Sequence, residues 1–342
     1  MNVPSKALLF LLTMGLGLLT LPGCSPLGLT VRLGPVSDEL VASTVKELGE
    51  GPGRPRDRIA MIVVRGIITD TPTPSLLGDS NAPLDDLVSQ LRLAAKDENV
   101  RAVILRIDSP GGTVAGSETA YREVRSFMQE TDKPVVISMG EVATSGGYYL
   151  ALAGDHIVAE PTTLTGSIGV LIPTFNASEG LDMIGIRTRF LTSGPNKDLA
   201  NPLAPVQEQH YEILQGIVGE YYARFLSLVL RRRPTLAPEH VAKATDGRVM
   251  TGDTAAAIGL VDTLGGVREA SAKAMTLAGV SHAVLVRYGT RGNAPRTAYA
   301  SSTAPSPIMA DQSINFLKVQ GGGLSAAALG LKPGVGYYVW IP

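Results

Sequence analysis

The chain has 342 residues, 44% hydrophobic and 18% charged, with a formal net charge of −1. This balance suits a globular protein with a sizeable core and excludes a basic nucleic-acid surface. Aromatic residues at 5% argue against base-stacking platforms, and a single cysteine excludes an intramolecular disulfide.

In chain order, the first element is a targeting segment. Lys6 precedes an apolar run from Ala7 to Leu21. That run is shorter than the roughly 20 residues of a membrane span and fits the core of a secretory signal. Leu21-Pro22-Gly23-Cys24 follows and resembles a bacterial lipobox, although Pro22 is not the usual small residue. Residues 1–23 are therefore expected to be a lipoprotein-type signal and Cys24 a lipidation site. An ordinary cleaved signal with an incidental thiol is the alternative. Residues 24–58 read as a tether, because the Gly- and Pro-rich stretch 49–56 cannot hold a helix or strand.

A β-branched apolar run, Ile59 to Ile68, predicts a buried strand. The stretch 70–81 is loop. Leu84, Leu87, Val88, Leu91 and Ala95 recur at helical spacing behind Pro83, which suits a first turn. Val103–Ile107 is a second strand, broken at Pro110-Gly111-Gly112. Ser117, Ala120, Tyr121, Val124, Phe127 and Met128 mark a helix face. Pro134–Ser138 is a third strand, with a helix from near Thr144 to Leu152 and a short strand His156–Ala159 after it. Alternating strands and helices predict an α/β fold with mainly parallel pairing. Thr188–Leu191 reads as a further strand. A long helix from about Pro205 carries His210, Leu214, Ile217, Tyr221, Phe225 and Leu228 on one side and ends at Arg231-Arg232-Arg233-Pro234. Those arginines read as cations at a helix C-terminus, the alternative being contact with anionic lipid. Residues 292–307 have a disordered composition, and 337–341 could pair as a strand.

Three segments could carry chemistry. They are Asp108-Ser109-Pro110-Gly111-Gly112, Ala143-Thr144-Ser145-Gly146-Gly147-Tyr148-Tyr149, and Thr165-Gly166-Ser167-Ile168-Gly169-Val170. A serine at a strand-to-helix turn lies beside backbone N–H groups with no partner in the helix, which can stabilise an oxyanion. Ser145 fits that role, and it also fits a plain helix N-cap. Gly111-Gly112 lets backbone approach a ligand, or makes an ordinary turn. A nucleophilic serine needs a base. None of the four histidines sits in a loop motif with an acid partner at a suggestive spacing. A lysine can serve when desolvation lowers its pKa. Lys197, in Ser193-Gly194-Pro195-Asn196-Lys197-Asp198, is either a solvated surface charge or that base.

Together and in this order, the segments resemble the signal peptide peptidase family of serine peptidases, the SppA-type enzymes of peptidase family S49. That family belongs to the Clp-protease and crotonase fold group. The likeness runs over about residues 59–275 and includes Asp246-Gly247-Arg248-Val249 and Gly259-Leu260-Val261-Asp262. It implies Ser145 as nucleophile, Lys197 as general base and Ser167 as the residue that orients the lysine. The three are spaced by 22 and then 30 residues. It implies oxyanion donors at Gly112 and Gly146, and a spiral of strand-strand-helix units in one catalytic domain, residues 59–282. Residues 283–342 would be a partly disordered extension. It further implies a homo-oligomeric ring whose neighbours share the catalytic groove, and a membrane-anchored place in the bacterial cell envelope. Its substrates would be peptides in apolar segments, such as residual signal peptides. No metal or other cofactor is expected. A crotonase-type acyl-CoA enzyme and an inactive scaffold are the competing readings. The export signal weighs against the first, and the retained Ser145, Ser167 and Lys197 weigh against the second.

Overall fold

The computed structural model describes residues 39–51, 56–71, 82–290, 294–300 and 335–341, with the backbone at 74–75 and 78–79. The signal segment, Cys24 and most of 292–307 lie outside the described residues. The described residues belong to one compact unit.

The core is a mostly parallel sheet. Its strands are β1 (Leu40–Gly49), β2 (Arg58–Arg65), β3 (Val100–Ser109), β5 (Val135–Thr144), β6 (His156–Ala159), β9 (Thr263–Leu264) and β10 (His282–Thr290), in the order β1-β10-β2-β3-β5-β6-β9. Only the β1–β10 pair on this path is antiparallel. A short β4 (Gly111–Thr113) follows β3. Off the main path, β7 (Leu164–Gly166) pairs parallel with the end of β5, and β8 (Val249–Thr251) pairs antiparallel with β7. The last strand, β11 (Tyr337–Val339), pairs antiparallel with β4.

The parallel strands are apolar on both sides because both sides are covered. In β2, Ala60, Ile62 and Val64 enter one core with Leu87 and Leu91 of α1 (Pro83–Lys96) and Val124 and Phe127 of α2 (Val114–Thr131). The alternate residues Ile59 and Met61 enter the other, against Val267, Ala270 and Ala274 of α8 (Val267–Ala278). Helix ends follow local chemistry. Pro83 opens α1, with Asp85 and Asp86 in its first turn and Lys96 in its last. The Thr113 hydroxyl caps α2 by accepting from the Gly116 N–H.

Three expectations change. Residues 40–49, expected in the tether, form β1: its backbone groups find partners on β10, which outweighs weak local propensity. Residues 188–191 form no strand; among the described residues no strand edge pairs with this run, and Leu191 is exposed. The arginines that end α5 (Glu208–Arg232) serve the fold more than their own helix. Arg232 donates to the carbonyls of Leu152 and Gly154. Arg233 donates to Gly259 O and makes a two-pronged pair with Asp262. A lipid role for this cluster is not needed to explain it. By contrast, the expected C-terminal strand is present as β11.

Candidate active site

The site begins where β5 ends. Ser145 follows Thr144 at the turn into α3 (Gly146–Ala151) and has φ 51° and ψ −112°. An L-residue pays roughly 1–3 kcal/mol for such a conformation. Two backbone bonds hold it there: Ser145 N–H donates to Gly166 O at 2.8 Å, and Tyr149 N–H donates to Ser145 O at 2.8 Å. The side chain does not cap the helix. Its Oγ is buried with no hydrogen-bond partner, and the residue is 1% exposed. The N-cap role is thus unfilled, and a strained, orphaned hydroxyl remains. Strain of this kind persists where the surroundings over-determine a functional geometry.

Two glycines converge on the same point. Gly111 has φ 113°, and a Cβ there would overlap Tyr338 O and lie 2.9 Å from Gly146 N. A Cβ on Gly146 would lie 2.9 Å from both Gly112 N and Tyr338 O and would overlap Ser117 Oγ. The N–H groups of Gly112 and Gly146 therefore stand within one small volume, beside Ser145. Gly146 opens its helix, so its N–H has no acceptor within the helix.

Ser167 sits one strand away. It too has positive φ, 51°, and its N–H donates to Arg248 O at 2.7 Å. Gly166, its neighbour, pairs with Thr144 and accepts from Ser145 N–H, so the Ser145 and Ser167 turns are built as one piece. Arg248 comes from Asp246-Gly247-Arg248-Val249, which explains why that distant segment belongs to the motif set.

Lys197 is not brought to Ser145 within the chain. It is exposed, on the turn-rich loop 193–200, and its side chain makes no hydrogen bond or ion pair among the described residues. The loop itself is ordered by His210 of α5. His210 Nδ1 accepts from Ala200 N–H at 3.3 Å, and Nε2 lies 3.0 Å from Pro195 O, so the neutral Nε2–H tautomer satisfies both. His156 is tied to Thr263 and lies beside Asp262, and burial lowers its pKa. Neither histidine touches Ser145 Oγ.

Two features were not foreseen from the residues. Ser117, on α2, places an unpartnered hydroxyl against Gly146. Tyr149 stacks on Tyr338, with ring centres 5.2 Å apart, and Phe225 closes the cluster at 4.8 Å from Tyr338. Ser117 was visible only as one more position on a helix face, and the aromatic cluster joins three elements far apart in sequence.

Comparison with known proteins decides the family. The profile of peptidase family S49 matches residues 128–281. A Synechocystis sp. protein provisionally named as a protease is 36% identical over 225 residues, 66% of this chain and 76% of the relative. The chain belongs to peptidase family S49. Protease 4 of Salmonella typhi is 39% identical over 223 residues, which is 64% of this chain but 34% of that protein. Protease 4 of Haemophilus influenzae is 38% identical over 227 residues, 65% of this chain and 35% of the relative. The chain thus spans about a third of the length of these two longer relatives. Ser145, Ser167 and Lys197 lie inside the matched region, and Gly112 lies just before it.

Proposed function

We propose that the protein is a membrane-associated serine endopeptidase that cleaves apolar peptide segments, such as residual signal peptides, with Ser145 as nucleophile and Lys197 as general base. The observation that carries this reading is the buried, uncapped Ser145 hydroxyl beside the converging N–H groups of Gly112 and Gly146. Such donors, fixed before reaction, stabilise the oxyanion of acyl transfer. Ser145 Oγ attacks the peptide carbonyl as the Lys197 amine takes its proton, and the lysine then protonates the leaving amine. Water releases the acyl group by the reverse route. Ser167 orients the lysine.

Lys197 reaches Ser145 from a neighbouring copy in this reading. Its segment exposes Phe175, Met183, Ile184, Ile186, Phe190 and Leu191. An apolar surface of this extent marks a protein contact. Burial in that contact would also remove the lysine from water, as a lysine base requires. A ring of subunits with the spiral fold of the Clp and crotonase group fits both points. Lipidated Cys24 would anchor the ring in the cell envelope; among the described residues no helix is long and apolar enough to cross a membrane.

The test uses Ser145→Ala and Lys197→Ala, assayed on a fluorogenic apolar peptide. Each alone should lose at least about a thousandfold in kcat/KM, as for residues of one catalytic unit. Mixing the two variants should restore part of the activity, because mixed assemblies contain intact serine–lysine pairs. Unchanged hydrolysis in both single variants refutes the reading, and failure of the mixture refutes the shared site.

A further inference from the structure

One buried hydroxyl near Ser145 takes no part in the serine–lysine chemistry. The inward face of α2 is apolar: Val114, Ala120, Val124 and Phe127 all enter the core. Ser117 lies on that face and is fully buried. A serine or threonine in a helix can turn its hydroxyl to the carbonyl one turn back. This protein does so repeatedly. Ser271 Oγ donates to Val267 O at 2.6 Å, Thr131 Oγ1 to Phe127 O at 2.7 Å and Thr245 Oγ1 to Val241 O at 2.8 Å. Ser117 departs from the pattern, and its Oγ has no hydrogen-bond partner among the described residues. A buried hydroxyl left in that state costs free energy and calls for an explanation.

The direction in which it points supplies one. A Cβ on Gly146 would overlap Ser117 Oγ and lie 2.9 Å from Gly112 N. Ser117 Oγ, Gly112 N and the backbone of Gly146 therefore surround one point beside the nucleophile. The first turn of α2 is fixed to that point. Thr113, the last residue of β4, accepts from Gly116 N–H at 3.0 Å through its side chain, and its own N–H donates to Ile68 O at 3.0 Å. The Ser117 hydroxyl is thus carried on the same rigid piece as Gly112. Thr144 Oγ1 and Ser145 Oγ, at the end of β5, are also buried and without partners. Close packing against Gly146 does not by itself require a serine, because alanine is as small and brings no polar atom.

We propose that Ser117 is a further catalytic residue, its hydroxyl acting as a third donor to the oxyanion alongside the Gly112 and Gly146 N–H groups. The proposal rests on the serine peptidase reading above. As the carbonyl is attacked and negative charge builds on its oxygen, the Ser117 O–H donates to that oxygen. It breaks no other hydrogen bond to do so, since it holds none beforehand, which is the preorganisation that makes such donors effective. The planar carbonyl of Tyr338, whose oxygen lies 2.9 Å from the same Cβ position, draws no bond from Ser117. A donor idle toward a planar carbonyl and engaged by the oxyanion raises kcat and leaves KM nearly unchanged.

The experiment compares wild type, Ser117→Ala and Ser145→Ala as full-length chains, on the fluorogenic apolar peptide. Ser117→Ala should lower kcat by about 10- to 100-fold and keep KM within about threefold. A peptide aldehyde, which forms a tetrahedral adduct with a nucleophilic serine, should inhibit Ser117→Ala at least about tenfold more weakly than wild type. The melting temperature should hold or rise, because the hydroxyl has no partner to lose. A serine with only a structural role gives the opposite pattern, a lower melting temperature with kcat kept. If Ser117→Ala does not fold, Ser117→Cys takes its place, since a thiol fills the site but donates weakly. Values of kcat and aldehyde inhibition within about threefold of wild type in the folded variant overturn the proposal. If hydrolysis is lost in Ser145→Ala and kept in Ser117→Ala, the third donor alone is refuted. A wild type that neither cleaves the peptide nor binds the aldehyde refutes the peptidase reading and the third donor with it.

Discussion

Gly146→Ala is the sharpest perturbation of the site. The added methyl would overlap Ser117 Oγ and lie 2.9 Å from Gly112 N and Tyr338 O. The hydroxyl of Ser117 is the end of a short side chain with no partner to hold it, so it can turn away. The backbone at Gly112 cannot: Gly111 and Thr113 on either side are bonded to Ile68. The methyl therefore displaces one of the two N–H donors, or blocks the point between them. Losing one oxyanion donor costs about 3–4 kcal/mol in the transition state, a factor of roughly 10²–10³ in kcat. Overpacking should add about 1–3 kcal/mol of destabilisation. The two effects separate in the double variant Gly146→Ala/Ser117→Ala. Ser117 is fully buried, so turning its hydroxyl aside is costly, and removing it should recover part of the stability in a urea titration while hydrolysis of the fluorogenic peptide stays low. Activity within about threefold of wild type in the single variant, with the fold intact, would show that Gly146 N–H and Gly112 N–H do not define the reacting point.

Two further outcomes follow from the same geometry. Burial alone would raise the pKa of Asp262, but the Arg233 guanidinium and the Ile157 N–H bonded to its carboxylate outweigh this and hold it below the ordinary 3.8. The stability it contributes is then fully present above 3.8 and is lost as pH falls from 3.8 through the lower folded-state value. Asp262→Asn should cost on the order of 3 kcal/mol at neutral pH, the low end for one partner of a buried pair because Asp262 keeps 28% exposure. It should also flatten the melting curve's pH dependence below about pH 4; a variant that melts like wild type at neutral pH would count against the pair. His210→Ala leaves Pro195 O and Ala200 N–H without that partner; both bonds are only part-buried and water can replace the lost partner, so the cost should be about 1 kcal/mol or less for each. The loop carrying Lys197 should loosen, and trypsin should cut after Lys197 several times faster, with equal cutting rates in both proteins refuting the brace.

Much of the fold is visible in the residues because its strands must be apolar on both faces. Arg58–Arg65 and Val100–Ser109 can serve only in a covered parallel sheet, and the helices between them show one apolar face each. Residues 188–191 show where that logic stops: a strand needs an edge, and edges are a property of the assembled sheet. Residues 40–49 show the converse, an unremarkable stretch drawn into the sheet by the free edge of β10.

The same division runs through the site. The sequence by itself determined which residues are candidates, because Ser145, Ser167 and the glycines around them must sit at strand ends where backbone N–H groups lack partners. It could not tell a nucleophile from an N-cap, since both want a serine at a helix start. Only the tertiary structure decided that the Ser145 side chain caps nothing, through a φ of 51° imposed by Gly166 O and Tyr149 N–H. The structure also decided that Lys197 stays in solvent within one chain, and that Tyr338, nearly two hundred positions beyond Ser145, places its carbonyl against Gly111 and Gly146. Such contacts depend on how distant segments close around one point, which no local pattern of residues encodes.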